Sequence, residues 1–213
     1  MDTAPKTKTK NRIITDLNKL YIPTKKVESI EEGEKIAAEL FSVLNDSGTG
    51  IGLTANQIGI DKSVFVINVK EPLYFINPRI ITSSINKVPY VETCLSIPKY
   101  TALTLRNQWV EITADNLEEP VTFGNKDKVY KNEDIKTPEY FDDKDLLEAV
   151  TFQHEFHHTK GTTIKDIDIK PKQAKKQIKP GRNEKIMVAK DGKSKFIKYK
   201  KLEIHEKDGW VLT

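Results

Sequence analysis

A chain of 213 residues, 37% hydrophobic and 31% charged, is long enough for one domain with a sizeable core and an appendage. No apolar run approaches the length of a membrane span, the opening "MDTAPKTKTKNRIITDL" holds no signal-peptide core, and a single cysteine, Cys94, excludes an internal disulfide framework. The net charge of +4 conceals an asymmetry: residues 165–213 carry 15 Lys/Arg against 7 Asp/Glu, whereas residues 1–164 carry 20 against 24. A slightly acidic body thus bears a basic tail, which fits either a solvated surface or an anionic partner.

In chain order, residues 1–11 read as a polar, flexible end. "SIEEGEKIAAELFSVLNDSG" predicts a helix: Ser29 and Glu32 form a capping box, Ile36, Leu40, Phe41 and Leu44 recur at helical spacing, and Gly48 is a stop. "TGIGLTANQIGI" reads as a glycine-rich loop. "KSVFVINV", "LYFINPRII", "PYVETCLSI", "TALTLRNQWVEITAD" and "EPVTF" read as strands, and residues 124–141 as a polar loop. A second helix is predicted from about Asp143 to Thr159, capped by Asp142 or Asp143 and ended by Gly161. Residues 165–184 read as a basic linker punctuated by Pro171, Pro180 and Gly181. Residues 185–213 read as a small β-rich extension with a hairpin turn at Asp191-Gly192. The expected architecture is α+β, with mainly antiparallel strands around the second helix.

That helix carries "HEFHH", three of the four histidines of the chain. His154 and His158, four residues apart, share a face with Leu147, Val150 and Thr151 and reach one ion; Glu155 beside them can take a proton from water. His157 points about 100° away from His158 and is the poorer ligand. A catalytic site of this kind usually has a third protein ligand. Cys94 is a candidate, although a lone cysteine reads more readily as a small buried core residue. In the glycine-rich run no Lys-Ser/Thr follows, so a phosphate loop is a poor reading; Gln57 there can donate an N–H to an oxyanion.

Taken together, three runs resemble the motifs of the peptide deformylases: "GIGLTANQIG" (Gly50 to Gly59), "ETCLS" (Glu92 to Ser96) and "QHEFHH" (Gln153 to His158). The resemblance covers roughly residues 12–164 and implies a catalytic domain there. It implies one divalent metal held by Cys94, His154 and His158, usually iron(II), with zinc, nickel or cobalt also able to bind. It implies removal of the formyl group from N-terminal formylmethionine of nascent polypeptides. Glu155 is then the general base and acid, and Gln57 with the Leu95 backbone N–H stabilises the oxyanion. Ile51 and Gly52 meet the substrate backbone, Leu147, Val150 and Thr151 line the methionine pocket, and Glu92 with Arg106 forms an ion pair holding the Cys94 strand.

Three positions depart from the pattern. Thr54 stands where alanine is common, a small change. Thr93 replaces a glycine before Cys94, which is costly if that position needs positive φ or crowds the substrate. His157 replaces the usual aspartate and is expected to lose an acceptor near the ligands. The tail run "GRNEK...GKSKFIKYKK" bears a faint likeness to the cysteine-rich tail module of the bacterial secretion ATPase, without its zinc cysteines. The basic tail is a candidate contact for the ribosome or RNA, and the expected location is the cytoplasm or an equivalent translating compartment, with no membrane partner. The competing readings are a zinc metallopeptidase using H-E-x-x-H and a non-catalytic, ribosome-binding relative of the deformylases.

Overall fold

The structure, a computed structural model, describes residues 12–130, 138–169, 182–183, 185–190, 193–208 and 210–212. A short helix α1 (Leu17–Leu20) precedes α2 (Ile30–Ser47). The Ser29 side chain accepts from the Glu32 N–H, and Gly48 closes the helix at φ 75°, a left-handed conformation open to glycine. The Glu32 carboxylate pairs with Lys62 at 3.0 Å, so the reciprocal half of the expected capping box has a different partner. The inner face of α2 (Ile36, Ala37, Leu40, Val43, Leu44) packs on Leu53, Val64, Val66 and Ile76.

Those residues lie on an antiparallel sheet of β1 (Gly52–Thr54), β2 (Val64–Asn68) and β3 (Pro72–Ile76). The expected glycine-rich loop is therefore strand β1 followed by a 3-10 turn, Ala55–Ile58. A second sheet joins β4 (Arg79–Ser83), β7 (Trp109–Thr113) and β8 (Val121–Gly124), and β5 (Lys87–Cys94) pairs with β6 (Ile97–Asn107) as a long hairpin. Two expected strands are each split. "LYFINPRII" breaks at Asn77, which has φ 50° and whose side chain ties the backbone of Val27. "TALTLRNQWVEITAD" breaks at the buried Gln108, whose N–H turns to the Ser84 hydroxyl at 2.8 Å.

After α3 (Pro138–Phe141) comes α4 (Lys144–Thr159), which packs against β1, β2, β6, β7 and β8. Eleven of its 16 residues are buried, so it is a core helix with little amphipathic pattern. Phe152 anchors it in an aromatic cluster with Phe65, Phe75 and Phe123, ring centroids 5.1–5.4 Å away. The chain beyond α4 stays bonded to β6: Asp168 accepts from the Tyr100 hydroxyl (2.6 Å) and the Leu103 N–H (3.0 Å), and the Ile169 N–H donates to the Leu103 carbonyl.

In the tail, β9 (Lys185–Lys190) lies between β10 (Lys193–Lys198) and β11 (Val211–Leu212). Ile186, Val188 and Ile197 form a small core of their own with Tyr199, Leu202 and Trp210. The expected turn at 191–192, the flexible end at 1–11 and most of the expected linker lie outside the described residues; Lys190 and Lys193, flanking that turn, are cross-strand partners. Helix α5 (Leu202–Lys207) stands where the alternation of "KKLEIHEK" reads as strand.

Candidate metal centre and active site

The β5–β6 hairpin supplies one wall. On β5, Tyr90, Glu92 and Cys94 alternate inward while Val91 and Thr93 face out, the period of two that a pleated strand imposes. Cys94 and Ile97 are cross-strand partners, so Leu95 and Ser96 form the tight turn between them. Thr93 is exposed and is not among the described non-glycine residues with positive φ, which are Asn77 and Lys99. The backbone cost expected at Thr93 is therefore absent, while Thr93 does stand at the cavity; the left-handed residue is Lys99 (φ 66°), also at the cavity.

Helix α4 supplies the second wall. Asp143 caps it, accepting from the Asp145 and Leu146 N–H groups at 3.0 and 3.1 Å. One turn apart, His154 and His158 lie with ring centroids 5.1 Å apart. One ligand-type atom from each of Cys94, His154 and His158 lies within 4.8 Å of the others, and all three residues are buried. The Cys94 sulfur is 3.3 Å from His158 Nε2.

Glu92 organises this cluster. Arg106 donates to it twice, from Nε (2.6 Å) and Nη2 (2.8 Å), Thr104 donates to the same carboxylate, and His154 Nδ1 donates at 2.8 Å. Burial alone would raise the Glu92 pKa; the Arg106 charge and the bonds from His154 and Arg106 hold it well below the usual carboxylate range. Because a carboxylate only accepts, His154 carries its proton on Nδ1 and presents Nε2 as a lone pair, the tautomer a metal ligand needs. Burial lowers the His154 pKa, but the Cys94 sulfur, Glu92 and Glu155 outweigh it and push it up to about 10. A divalent ion would compete with a proton for His154 Nε2. The donor set and its field fit a single ion.

His157 lies outside the ligand cluster, as its direction implied, and is bonded elsewhere. Arg106 Nη1 donates to His157 Nδ1 at 2.8 Å, so an acceptor is retained where the expectation was that one is lost. Burial first, then the Arg106 charge, pushes the His157 pKa down to about 4, which keeps the ring neutral and accepting.

The third wall is β1 with its 3-10 turn. The Gln57 carbonyl oxygen accepts from the Thr54 N–H at 2.8 Å, which turns its amide nitrogen toward Ser96 (3.1 Å) and Cys94 (3.6 Å). The Glu155 carboxylate lies against Gly52; a Cβ there would sit 2.5 Å from Glu155 Oε1, so a larger residue would have to displace the carboxylate. Burial raises the Glu155 pKa.

These walls enclose a cavity of about 450 Å³ lined by Ile51, Gly52, Gln57, Glu92, Cys94, Leu95, Leu147, Val150, Thr151, His154 and Glu155. All the expected pocket residues meet there; His158 and Arg106 lie behind the lining. Sequence reasoning missed Tyr90, Ser96, Thr104 and the role of Thr54. Tyr90 was legible, two residues before Glu92 on the same face; Thr104 likewise precedes Arg106 by two.

A buried Cys-His-His cluster beside a buried glutamate, on a core helix within antiparallel sheets, defines the class of metal-dependent hydrolases. Residues 11–174 match the family model of polypeptide deformylase. A peptide deformylase of Phenylobacterium zucineum is 31% identical over 75% of this chain and 93% of its own, and one of Borreliella burgdorferi is 31% identical over 80% and 94%. Among solved structures, the peptide deformylase of Thermotoga maritima (26% identity, TM-score 0.58) covers 75% of this chain and 96% of its own. A probable peptide deformylase of Synechococcus phage S-SSM7 (25%, 0.57) covers 73% and 97%. The chain belongs to the polypeptide deformylase family, enzymes that deformylate nascent polypeptides. The metallopeptidase and non-catalytic readings gain no support.

Proposed function

We propose that this chain hydrolyses the formyl group of N-terminal formylmethionine, with Cys94, His154 and His158 holding one divalent metal, iron(II) first and zinc, nickel or cobalt as substitutes. The observation that carries the reading is the convergence of these three side chains beside Glu155, with Cys94, His154 and Glu155 lining one cavity and His158 behind it. A bound ion would supply Lewis acidity, polarising the formyl oxygen and making water acidic enough to attack near neutral pH.

The remaining work falls to the chain. Leu147, Val150 and Thr151 receive the methionine side chain, with Tyr90 beside them, while Ile51 and Gly52 align the substrate backbone. Glu155 takes the proton of the attacking water as the new C–O bond forms. The Gln57 amide N–H and the Leu95 backbone N–H meet the oxyanion, each such donor being worth about 3 kcal/mol. Glu155 then delivers the proton to the leaving nitrogen as the C–N bond breaks, releasing formate and a free amine. Glu92 and Arg106 hold the His154 ring and the Cys94 strand in register.

The test is turnover of formyl-Met-Ala-Ser by anaerobically purified protein, with acetylated and unmodified peptides as controls and metal analysis of the same sample. Release of formate from the formylated peptide only, with one metal per chain, is expected. An inactive protein that carries a full complement of metal would overturn the reading.

A second reading concerns residues 170–213. We infer that the catalytic unit continues to Ile169, that a basic linker follows, and that the separately cored extension contacts ribosomal RNA in the translating compartment. Two observations favour it: the exposed Lys185 and Lys198 stand directly opposite each other across strands, and Phe196, 62% exposed, lies on the same face. Like charges so opposed are destabilising until an anion lies between them, and an aromatic among lysines suits an RNA strand.

A further inference from the structure

We infer that Thr54 is a positioning residue for the hydrolysis: its hydroxyl clamps the Glu155 carboxylate in the orientation that receives the proton of water. The inference rests on the role proposed for Glu155 and adds a group that the motif resemblance does not supply. Where the resembling motif commonly has alanine, no side-chain atom can make this contact.

Thr54 ends β1 and is fully buried, 0% exposed. Its Oγ1 lies 2.7 Å from Glu155 Oε2 and 3.1 Å from the Glu155 carbonyl oxygen. The hydroxyl has one proton to give, and a carboxylate is the stronger acceptor. The other carboxylate oxygen, Oε1, is the atom a Cβ on Gly52 would strike. Glu155 is thus laid flat along β1, with Oε1 at Gly52 and Oε2 bonded to Thr54. Among the described residues no hydrogen bond reaches Oε1, so Oε1 is the oxygen left to receive a proton. A glutamate side chain has three rotatable bonds and, unrestrained at a cavity wall, samples several rotamers. One fixed bond to Oε2 removes most of them before substrate arrives, which is how preorganisation acts on rate.

Thr54 also serves Gln57: its N–H donates to Gln57 Oε1 at 2.8 Å, and its side chain faces the Gln57 backbone N–H in a capping box on the 3-10 turn. Replacing the side chain leaves the Oε1 anchor in place and removes the other half of the box. The Glu155→Gln background therefore separates the contact with Glu155 from the cap. Thr54→Val keeps the branched shape suited to a strand end and removes only the hydroxyl.

The experiment compares the unmodified chain with Thr54→Val, Thr54→Ser and Thr54→Ala for kcat, KM and metal content, all loaded with the same metal and assayed on formyl-Met-Ala-Ser. Thr54→Val and Thr54→Ala are expected to lose about tenfold in kcat, the value of one hydrogen bond to a charged group, with KM and metal content unchanged. Thr54→Ser, which restores the hydroxyl, is expected to recover most of kcat. In a Glu155→Gln background, Thr54→Val should change the residual rate no further, because the carboxylate it positions is gone. Full kcat in both Thr54→Val and Thr54→Ala overturns the inference, as does an undiminished effect in the Glu155→Gln background or a kcat loss that tracks metal loss. Failure of the Glu155 role itself reads differently: Glu155→Gln alone would then retain the full rate.

Discussion

Glu155 is buried but does not belong to the ligand cluster, and this divides two functions that a single mutation often confounds. Glu155→Ala is expected to bind metal stoichiometrically while turnover falls by at least about a hundredfold, as loss of a general acid–base group requires. Metal analysis and kcat on the same preparation check it. Cys94→Ser should do the reverse, losing iron retention first and activity with it; a Cys94→Ser protein with full metal would remove Cys94 from the ligand set. His157 makes the sharper case. Directional reasoning on an ideal helix sets it aside, yet its Nδ1 accepts from a guanidinium that is 1% exposed. His157→Ala leaves a buried Arg106 donor without that partner. The expected outcome is full metal content and most of the activity, with a stability loss of about 1–3 kcal/mol in urea titration. Metal loss in His157→Ala would instead put His157 among the ligands.

Helix α4 depends on Asp143, which caps two N–H groups and receives bonds from Lys128 and from the Tyr130 hydroxyl at 2.6 Å. Burial raises the Asp143 pKa, but the Lys128 and Tyr130 bonds and the helix N–H groups bring it below its ordinary value. A carboxyl depressed on folding stabilises the fold fully above its unfolded pKa, and that stability drains away as pH falls through the folded value. Asp143→Ala should therefore cost about 1–2 kcal/mol near neutrality, with the gap to the unmodified chain narrowing in acid; urea titrations across that pH range measure it. The cap, like Ser29 and Gly48 on α2, was legible because capping is local chemistry written in adjacent residues. The hydrogen-bonded breaks in strands were not. Asn77 and Gln108 end their strands through partners 50 and 24 residues away, Val27 and Ser84. Helix α5 was misread because a short amphipathic turn and a strand share an alternating pattern over six residues. The Cys94–His154–His158 cluster and its neighbour Glu155 were legible from spacing and motif. The Thr54–Glu155 and Arg106–His157 contacts were not, because each joins elements far apart in sequence.

The body and the tail carry opposite net charge, so the excess of positive charge is concentrated in the C-terminal part of the sequence. Among the described residues, Asp168 accepts from β6 and the Ile169 N–H donates to it, and the tail core of Ile186, Val188 and Ile197 includes no body residue. A cut after residue 169 therefore removes the basic extension without opening a core cluster of the body. Deleting residues 170–213 is expected to leave kcat and KM on a short formylated peptide nearly unchanged, since among the described residues every one that lines the cavity precedes the cut. The same deletion should weaken co-sedimentation with ribosomes at low salt, because binding built on lysine–phosphate contacts carries counterion release and fades as salt rises. Charge and aromatic contributions separate in the intact chain: Lys185→Glu with Lys198→Glu should flatten the salt dependence, whereas Phe196→Ala should weaken binding with its salt slope preserved. Sedimentation of the truncated chain equal to that of the full chain would remove the ribosome from the tail's role. Loss of peptide turnover on truncation would assign the tail to the stability of the catalytic unit.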